Sequence, residues 1–445
     1  MMNETEAKTI LKNCLKVASG YKTEVALSGG DISLIRFVNN EIILPFNEKR
    51  TQLFIRVIHK KKIGRASTNS FDTAGLKKVF RTALQNAKDF PYELEDLKFP
   101  EPARYLPVKG CTEKQAALSV EEMLAQTAKL TEKLRKHGIS GFGVLAHKVG
   151  SITAGYGWPF GGEKVFAVAN SRGVYAFFRG TGVHLSITAK SARGEGWHDV
   201  SAPGIDGLDF EKIGDTAVEK ALRAEDPVAL KPGNYTAILE PGVVSALLAG
   251  GLGNMFLAGS SALAGKAGQQ VFKKNINLKD DPSDKLLQNC PFSIEGIPRK
   301  KKILLERGVV REFVVNNAYA EKHGVPSDGY GLPFPGLLGK NHYEENRPSS
   351  LVLDGGNNSL KDLINSTKRG VLISGLWGNM ANEGSCLIEN GKITKGLHAF
   401  YIKNNVPDIL NNVEMLGKTE RVSDSFLMSA MAMPALKVKN FACIP

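Results

Sequence analysis

From Pro241 to Gly265 the chain contains no His, Asp, Glu, Lys, Arg, Cys or Tyr. Its central part, VVSALLAGGLGNMF from Val243 to Phe256, is helical in character and built largely from Ala, Leu and Gly. A long uncharged run rich in Ala and Leu raises the question of burial in protein or in lipid. Recurrent glycine, the polar interruptions Ser245, Asn254, Ser260 and Ser261, and flanks that read as strand and loop argue against a membrane span. The run is therefore expected to be buried or to line a cavity, and the rest of the chain has to build the walls around it.

The walls read as three domains, in keeping with 445 residues at roughly 150 per domain. In residues 1–90, Ala7, Ile10, Leu11, Cys14, Leu15 and Ala18 share a helical face. EVALSGGDISLIRFVNNEI predicts two strands across a turn at Gly29-Gly30. TQLFIRVIHKKKIGRAS adds a strand pair with apolar residues on both faces, Leu53, Ile55 and Val57 against Phe54 and Ile58, as in a sheet interior. An amphipathic helix follows, with Ser70 or Asp72 as its N-cap. Residues 91–112 are proline-rich and read as a linker.

Residues 113–229 predict helices, antiparallel strands with a hairpin at Asn170–Gly173, and a further helix. Residues 230–445 open with the strand YTAILE, enter the uncharged run, and continue through hairpins at Arg307-Gly308 and Asn390-Gly391. GVLISGLWGN reads as one strand, residues 406–416 as a helix and ALKVKNFAC as a closing strand. The fold class is α+β, with antiparallel sheets and segregated helices: a helix-strands-helix unit, a middle α+β domain and a larger β-rich C-terminal domain.

Composition removes several functions. The net charge of +13 is spread along the chain, with short clusters only at His59–Lys62 and Arg299–Lys302, which read as solvated surface. No helix-turn-helix, zinc-finger or aromatic RNA-binding pattern accompanies the charge, so nucleic acid is not the expected partner. The five cysteines are widely spaced with no C-x-x-C, which fits a reducing compartment and a cytoplasmic location. The N-terminus has no basic segment followed by an apolar core, and so is not read as a signal peptide.

The chain offers no familiar catalytic spacing. Its eight histidines include no pair at i,i+4, there is no G-x-S-x-G elbow, and no phosphate-binding G-x-x-x-x-G-K-[ST]. Cys386 reads as a buried strand residue. Ser327–Ser350, SDGYGLPFPGLLGKNHYEENRPSS, has no periodicity; a loop of that length is expected to face substrate.

The order of several segments resembles one family. LKPGNYTAILEPGVVSALLAGGLG, RGVVREFVVNNAYAEKHG, RPSSLVLDGG, LIENGKI and NNVPDILNNVEMLGK resemble the C-terminal domain of the TldD/PmbA family, and FAVANSRGVYAFFRG resembles its middle-domain hairpin. The resemblance implies kinship with a two-subunit metalloprotease historically labelled a modulator of DNA gyrase. The catalytic branch carries H-E-x-x-x-H on the helix after the first strand of that domain, and a cysteine ligand near the end. Here that helix has no His and no Glu, and Cys443 lies beyond the expected place. Hydrolytic zinc needs about three protein ligands and an open position.

The resemblance thus implies the PmbA/TldE-like branch: a non-catalytic subunit with no metal or catalytic residues of its own, zinc being held only by a TldD-like partner. It implies a heterodimer, or a homodimer, enclosing a channel for unfolded peptides bound by strand addition. Ser245, Gly250, Asn254, His342 and Arg347 are the candidates for lining that channel. Two alternatives stand beside it. One is a self-sufficient hydrolase using His323, His342, Asp328 or Cys386; the other is a binding or scaffolding protein without enzymatic activity.

Overall fold

The computed structural model describes the chain except for residues 1, 94–98, 151–164, 331–347, 349, 383, 424–429 and 445. One sheet runs through the N-terminal and middle segments. Its path is Lys62–Thr68, Glu41–His59, Lys22–Val38, Ser140–Gly150, Gly180–Lys190 and Glu195–Ala202. The long strand Lys22–Val38 changes partner midway: Glu24–Ser28 pair with Val165–Asn170, whereas Gly30–Phe37 pair with Ser140–Gly150.

That strand corrects the expected turn. The chain passes straight through Gly29 and Gly30 (φ +119° and +158°) and turns instead at Asn39-Asn40, both with positive φ. A side chain at Gly29 or Gly30 would run into the backbone carbonyls of Arg50 and Val149 on the flanking strands. The glycines permit close approach of backbones where the sheet changes partner; asparagine tolerates the left-handed turn conformation.

Helices cover the sheet in two places. Val120–Lys136 and Phe210–Arg223, N-capped by Ser119 and Asp209, bury Leu130 and Ala217 against Ile35, Leu145 and Ile187. Glu4–Val17 and Thr73–Asp89 bury Leu11 and Val79 against Val25, Leu53 and Ile55. Asp72 is the N-cap of the second, accepting from Gly75 N at 2.7 Å.

The C-terminal half forms a second, mixed sheet around the helix Pro241–Met255. Gly233–Leu239 pairs in parallel with Arg369–Ile373 and antiparallel with Ala430–Ile444. The architecture is α+β, as the sequence predicts. Hairpins turn at Arg307-Gly308 and Asn390-Gly391, each pair at positive φ. Two local expectations are corrected. GVLISGLWGN breaks at Ser374 into two strands with different partners: Arg369–Ile373 pairs with Gly233–Leu239 and Cys386–Glu389, and Gly375–Trp377 pairs with Met380–Asn382. The helix after Asn405 stops at Asn411, and from Val413 the chain pairs with Ala430–Ile444 instead.

The two sheets are joined by buried charge. Arg56 on the first sheet reaches Glu24 at 2.7 Å and Glu295 of the C-terminal half at 2.9 Å, all three out of water. Phe292 and Ile294 pack beside them on Ala26 and Val168. The basic run 299–302 is solvated surface only in part: Lys300 and Lys301 are half exposed, whereas Arg299 is buried and Lys302 largely so. Arg299 is buried over the Tyr330 ring, Lys300 and Lys302 pair with buried Asp328 at 3.1 and 3.0 Å, and Lys301 pairs with buried Asp281 at 3.2 Å. Its charges are held by carboxylates that lie far away in sequence.

Candidate functional site

The uncharged run folds as the helix Pro241–Met255 and then leaves helical geometry. Proline at its first turn suits a position whose N–H has no partner in the helix. Val243, Val244, Leu248 and Leu252 are buried in the main C-terminal core with Leu239, Ile373, Leu436 and Val438. The small residues have a packing reason. A side chain at Gly251 would meet Val406 Cγ2 at 2.5 Å, so the glycine lets the Val406–Asn411 helix lie against this one.

The residues proposed to line a channel are distributed as follows. Ser245 is buried, its hydroxyl 3.8 Å from Met431 Sδ; Gly250 lies within the helix; Asn254 is exposed. His342 and Arg347 fall outside the described residues, as does most of Ser327–Ser350.

The alternative catalytic residues are described in part. Asp328 is committed to Lys300 and Lys302 and accepts from Val315 N at 3.0 Å. Burial pushes the Cys386 thiol up to about 11, so it is a neutral thiol at physiological pH. His323 stacks on Tyr319 with ring centroids 4.1 Å apart. Among the described residues no three His, Cys, Asp or Glu side chains converge as metal ligands. The helix Pro241–Met255 has no His, Cys, Asp or Glu and so offers none of the usual zinc ligands.

What the sequence left unmarked lies at the mouth of this helix. A cavity of about 960 Å³ opens between the strand Glu195–Ala202, the helix Phe210–Arg223 and the start of Pro241–Met255. Glu240, the last ionisable residue before the uncharged run, lies on its lining. Its carboxylate accepts from Lys220 Nζ, from Arg223 Nη2 at 3.3 Å and from Ser374 Oγ at 2.7 Å. Burial alone raises a carboxyl pKa, but Lys220 and Arg223 outweigh it and hold Glu240 below its ordinary value. Burial, aided by nearby Lys220, pushes His198 down to about 4 and keeps it neutral.

The rest of the lining is satisfied only in part: Ser201 Oγ, Arg223 Nε and Arg421 Nε are buried with no hydrogen-bond partner among the described residues. Arg421 Nη1 donates to the carbonyls of Leu286 and Leu287 at 2.6 and 2.9 Å, and burial lowers its pKa to about 10. His184 Nε2 sits 2.6 Å from Asp199 Oδ2 on the cavity wall. Lys220, Arg223 and Glu240 compensate one another's charge and join the helix Phe210–Arg223 to the strand end at Glu240. The only sequence signal for it was the position of Glu240, at a strand end immediately before a proline and the uncharged run.

Comparison with known proteins covers nearly the whole chain. Residues 23–87, 114–225 and 232–444 match, in order, domain 1, the central domain and the C-terminal domain described for the PmbA/TldA metallopeptidases. A metalloprotease of Methanocaldococcus jannaschii is 23% identical over 62% of this chain and 64% of its own length. One from Archaeoglobus fulgidus is 24% identical over 35% of this chain and 38% of its own. The matched stretches thus span less than two thirds of either curated relative. Among solved structures, TldE from Thermococcus kodakarensis superposes with a TM-score of 0.81 at 22% identity, covering 98% of this chain and 99% of that one. A Thermotoga maritima protein described as a modulator of DNA gyrase gives 0.79 at 22% identity, covering 98% and 99%.

Proposed function

This chain belongs to the PmbA/TldD metallopeptidase family, and we propose that it serves there as a subunit that does not itself hydrolyse peptides. One observation carries the reading. The helix that leads the C-terminal domain is filled with packing residues, and it has no His, Asp, Glu or Cys from Pro241 to Met255. A hydrolytic zinc needs a ligand set and a base to activate water. This helix supplies neither, and the nearest carboxylate, Glu240, is already bound to two cations and a hydroxyl.

In this reading the catalytic zinc belongs to a relative that retains the metal motif, and the two chains together enclose unfolded peptide. The long strand Glu41–His59 supports an association of that kind. Lys62–Thr68 covers only its second half, Leu53–His59. The outer edge of its first half has no strand partner among the described residues, and Ile43 and Leu44 there are 55% and 46% exposed. Such an edge offers main-chain groups to another strand. All five cysteines are free, in keeping with a cytoplasmic setting, and no helix among the described residues is long and apolar enough to cross a membrane.

The test is metal analysis and peptidase assay of the chain alone and after co-expression with a zinc-motif relative. The expected result is negligible zinc and no cleavage alone, with chelator-sensitive cleavage by the co-purified pair. Stoichiometric zinc and chelator-sensitive cleavage by this chain alone would sink the proposal.

A further inference from the structure

Glu24 is fully buried, yet neither of its carboxylate oxygens accepts a hydrogen bond among the described residues. Its ion-pair partner there is Arg56 Nη2 at 2.7 Å, and the same nitrogen lies 2.9 Å from Glu295 of the C-terminal half. The register sets Asn170, Glu24, Arg56 and Arg65 opposite one another across four strands, on one face of the first sheet. The other face is taken by the helices Glu4–Val17 and Thr73–Asp89. What keeps water from Glu24 is chain from elsewhere. Phe292 and Ile294 pack on Ala26 and Val168, Phe99 places its ring 5.1 Å from Arg56 Cζ, and Tyr105 Oη donates to the Gly296 carbonyl at 2.9 Å. Among the described residues no strand pairing joins residues 290–297 to that sheet. They are tied to one another instead, Ser293 N donating to Ile297 O and Gly296 N to Ser293 O, both at 2.9 Å. The segment is therefore built to leave the sheet as a unit.

We propose that residues 290–297 and the N-terminal sheet form a proton-operated latch, closed when Glu24 carries a proton and loosened when it gives that proton up. A carboxylate without hydrogen-bond donors is costly to keep charged away from water. Covering Glu24 therefore draws a proton onto it from solvent, and uncovering returns the proton. Arg56 opposes this only in part, its Nη2 lying between two carboxylates; burial wins and pushes the Glu24 carboxyl up to about 7. The other charged and titratable groups described around the pair are Glu295, Arg65, Tyr105 and Cys290. Burial holds Arg65 below its ordinary value, with Arg56 adding to the effect, and burial pushes Tyr105 up to about 12, a neutral phenol. The sign follows from a folded value raised above the ordinary 4.5: closure is favoured in full below about 4.5, and the advantage is lost as pH rises to about 7. The latch is independent of whether the chain works beside a peptidase.

Hydrogen exchange of the full chain, read by mass spectrometry and corrected for the intrinsic effect of pH on exchange, tests the latch. Backbone amides of residues 292–297 should open at least about tenfold more often than those of Ile238 and Leu372, which lie buried in paired strands of the second sheet. Between about pH 5.5 and about pH 8 the opening of residues 292–297 should increase at least about tenfold, and in Glu24→Gln less than about twofold. The latch is overturned if residues 292–297 open only together with Ile238 and Leu372, if their opening is flat across that range, or if Glu24→Gln keeps the increase. The first two of these outcomes are read on the wild-type chain and decide the matter whether or not the variant folds.

Discussion

Lys220 and Glu240 form an ion pair across the junction of the middle and C-terminal domains, with side chains only 5% and 12% exposed. Lys220 also donates to the Trp197 carbonyl at 3.1 Å, while Arg223 and Ser374 complete the carboxylate's shell. The pair therefore ties the helix Phe210–Arg223 to the strand end from which the uncharged helix begins.

Removing one partner should strand the other. Glu240→Ala leaves Lys220 and Arg223 facing each other in a buried site, and should cost about 3–5 kcal/mol in urea unfolding. The pH dependence follows from a carboxyl whose folded pKa is depressed. Its contribution is complete above the unfolded value of about 4.5 and is lost as pH falls through the folded value. Glu240→Gln should remove that part of the acid destabilisation, seen as a shallower fall in midpoint below about pH 4.5. An unchanged acid limb would refute the assignment.

Glu24 should show the opposite sign. Burial pushes its carboxyl up to about 7, against the opposing pull of Arg56. A raised folded pKa favours the protonated form. The contribution to stability is thus full below about 4.5 and is lost as pH rises to about 7. In Glu24→Gln the stability-versus-pH curve should lose this decline between those limits. Arg56→Met, which leaves Glu24 and Glu295 buried without their cation, should cost about 3–5 kcal/mol. Denaturant midpoints across pH will decide both.

Gly251 is a steric requirement. Gly251→Val drives a side chain into Val406 and should destabilise by about 1–3 kcal/mol. The paired change Gly251→Val/Val406→Ala should recover part of the loss, a coupling that thermal unfolding of the four-member cycle measures. Additive effects would show that the two helices do not touch at this point.

Asp280 holds two distant pieces of chain together. It is fully buried, accepts from Tyr330 Oη, and accepts from Ser350 N at 2.7 Å. Asp280→Ala orphans a buried hydroxyl and a buried N–H, and should cost about 3 kcal/mol, whereas Asp280→Asn keeps an acceptor and should cost less. Equal losses in urea unfolding would contradict the two-bond account.

The elements legible in the sequence were those whose cause is local. Asp72, Ser119 and Asp209 announce helix starts because their side chains bond N–H groups of the following turn. Asn390-Gly391 announces a hairpin because both residues must take positive φ. The missing donors in Pro241–Met255 are equally local, since a side chain that is absent cannot be supplied by folding.

What only the tertiary structure decided are relations between residues far apart in sequence. Gly29-Gly30 looks like a turn until the carbonyls of Arg50 and Val149 are brought against it. Arg299 and Lys302 of the basic run look solvated until Tyr330 and Asp328 fold onto them, and the cavity exists only once the helix Phe210–Arg223 meets the strand end at Glu240. Propensity acts over a few bonds, but Coulomb attraction and exclusion of backbone by a Cβ act through space. Their outcome is therefore fixed when the sheets pair and the domains close.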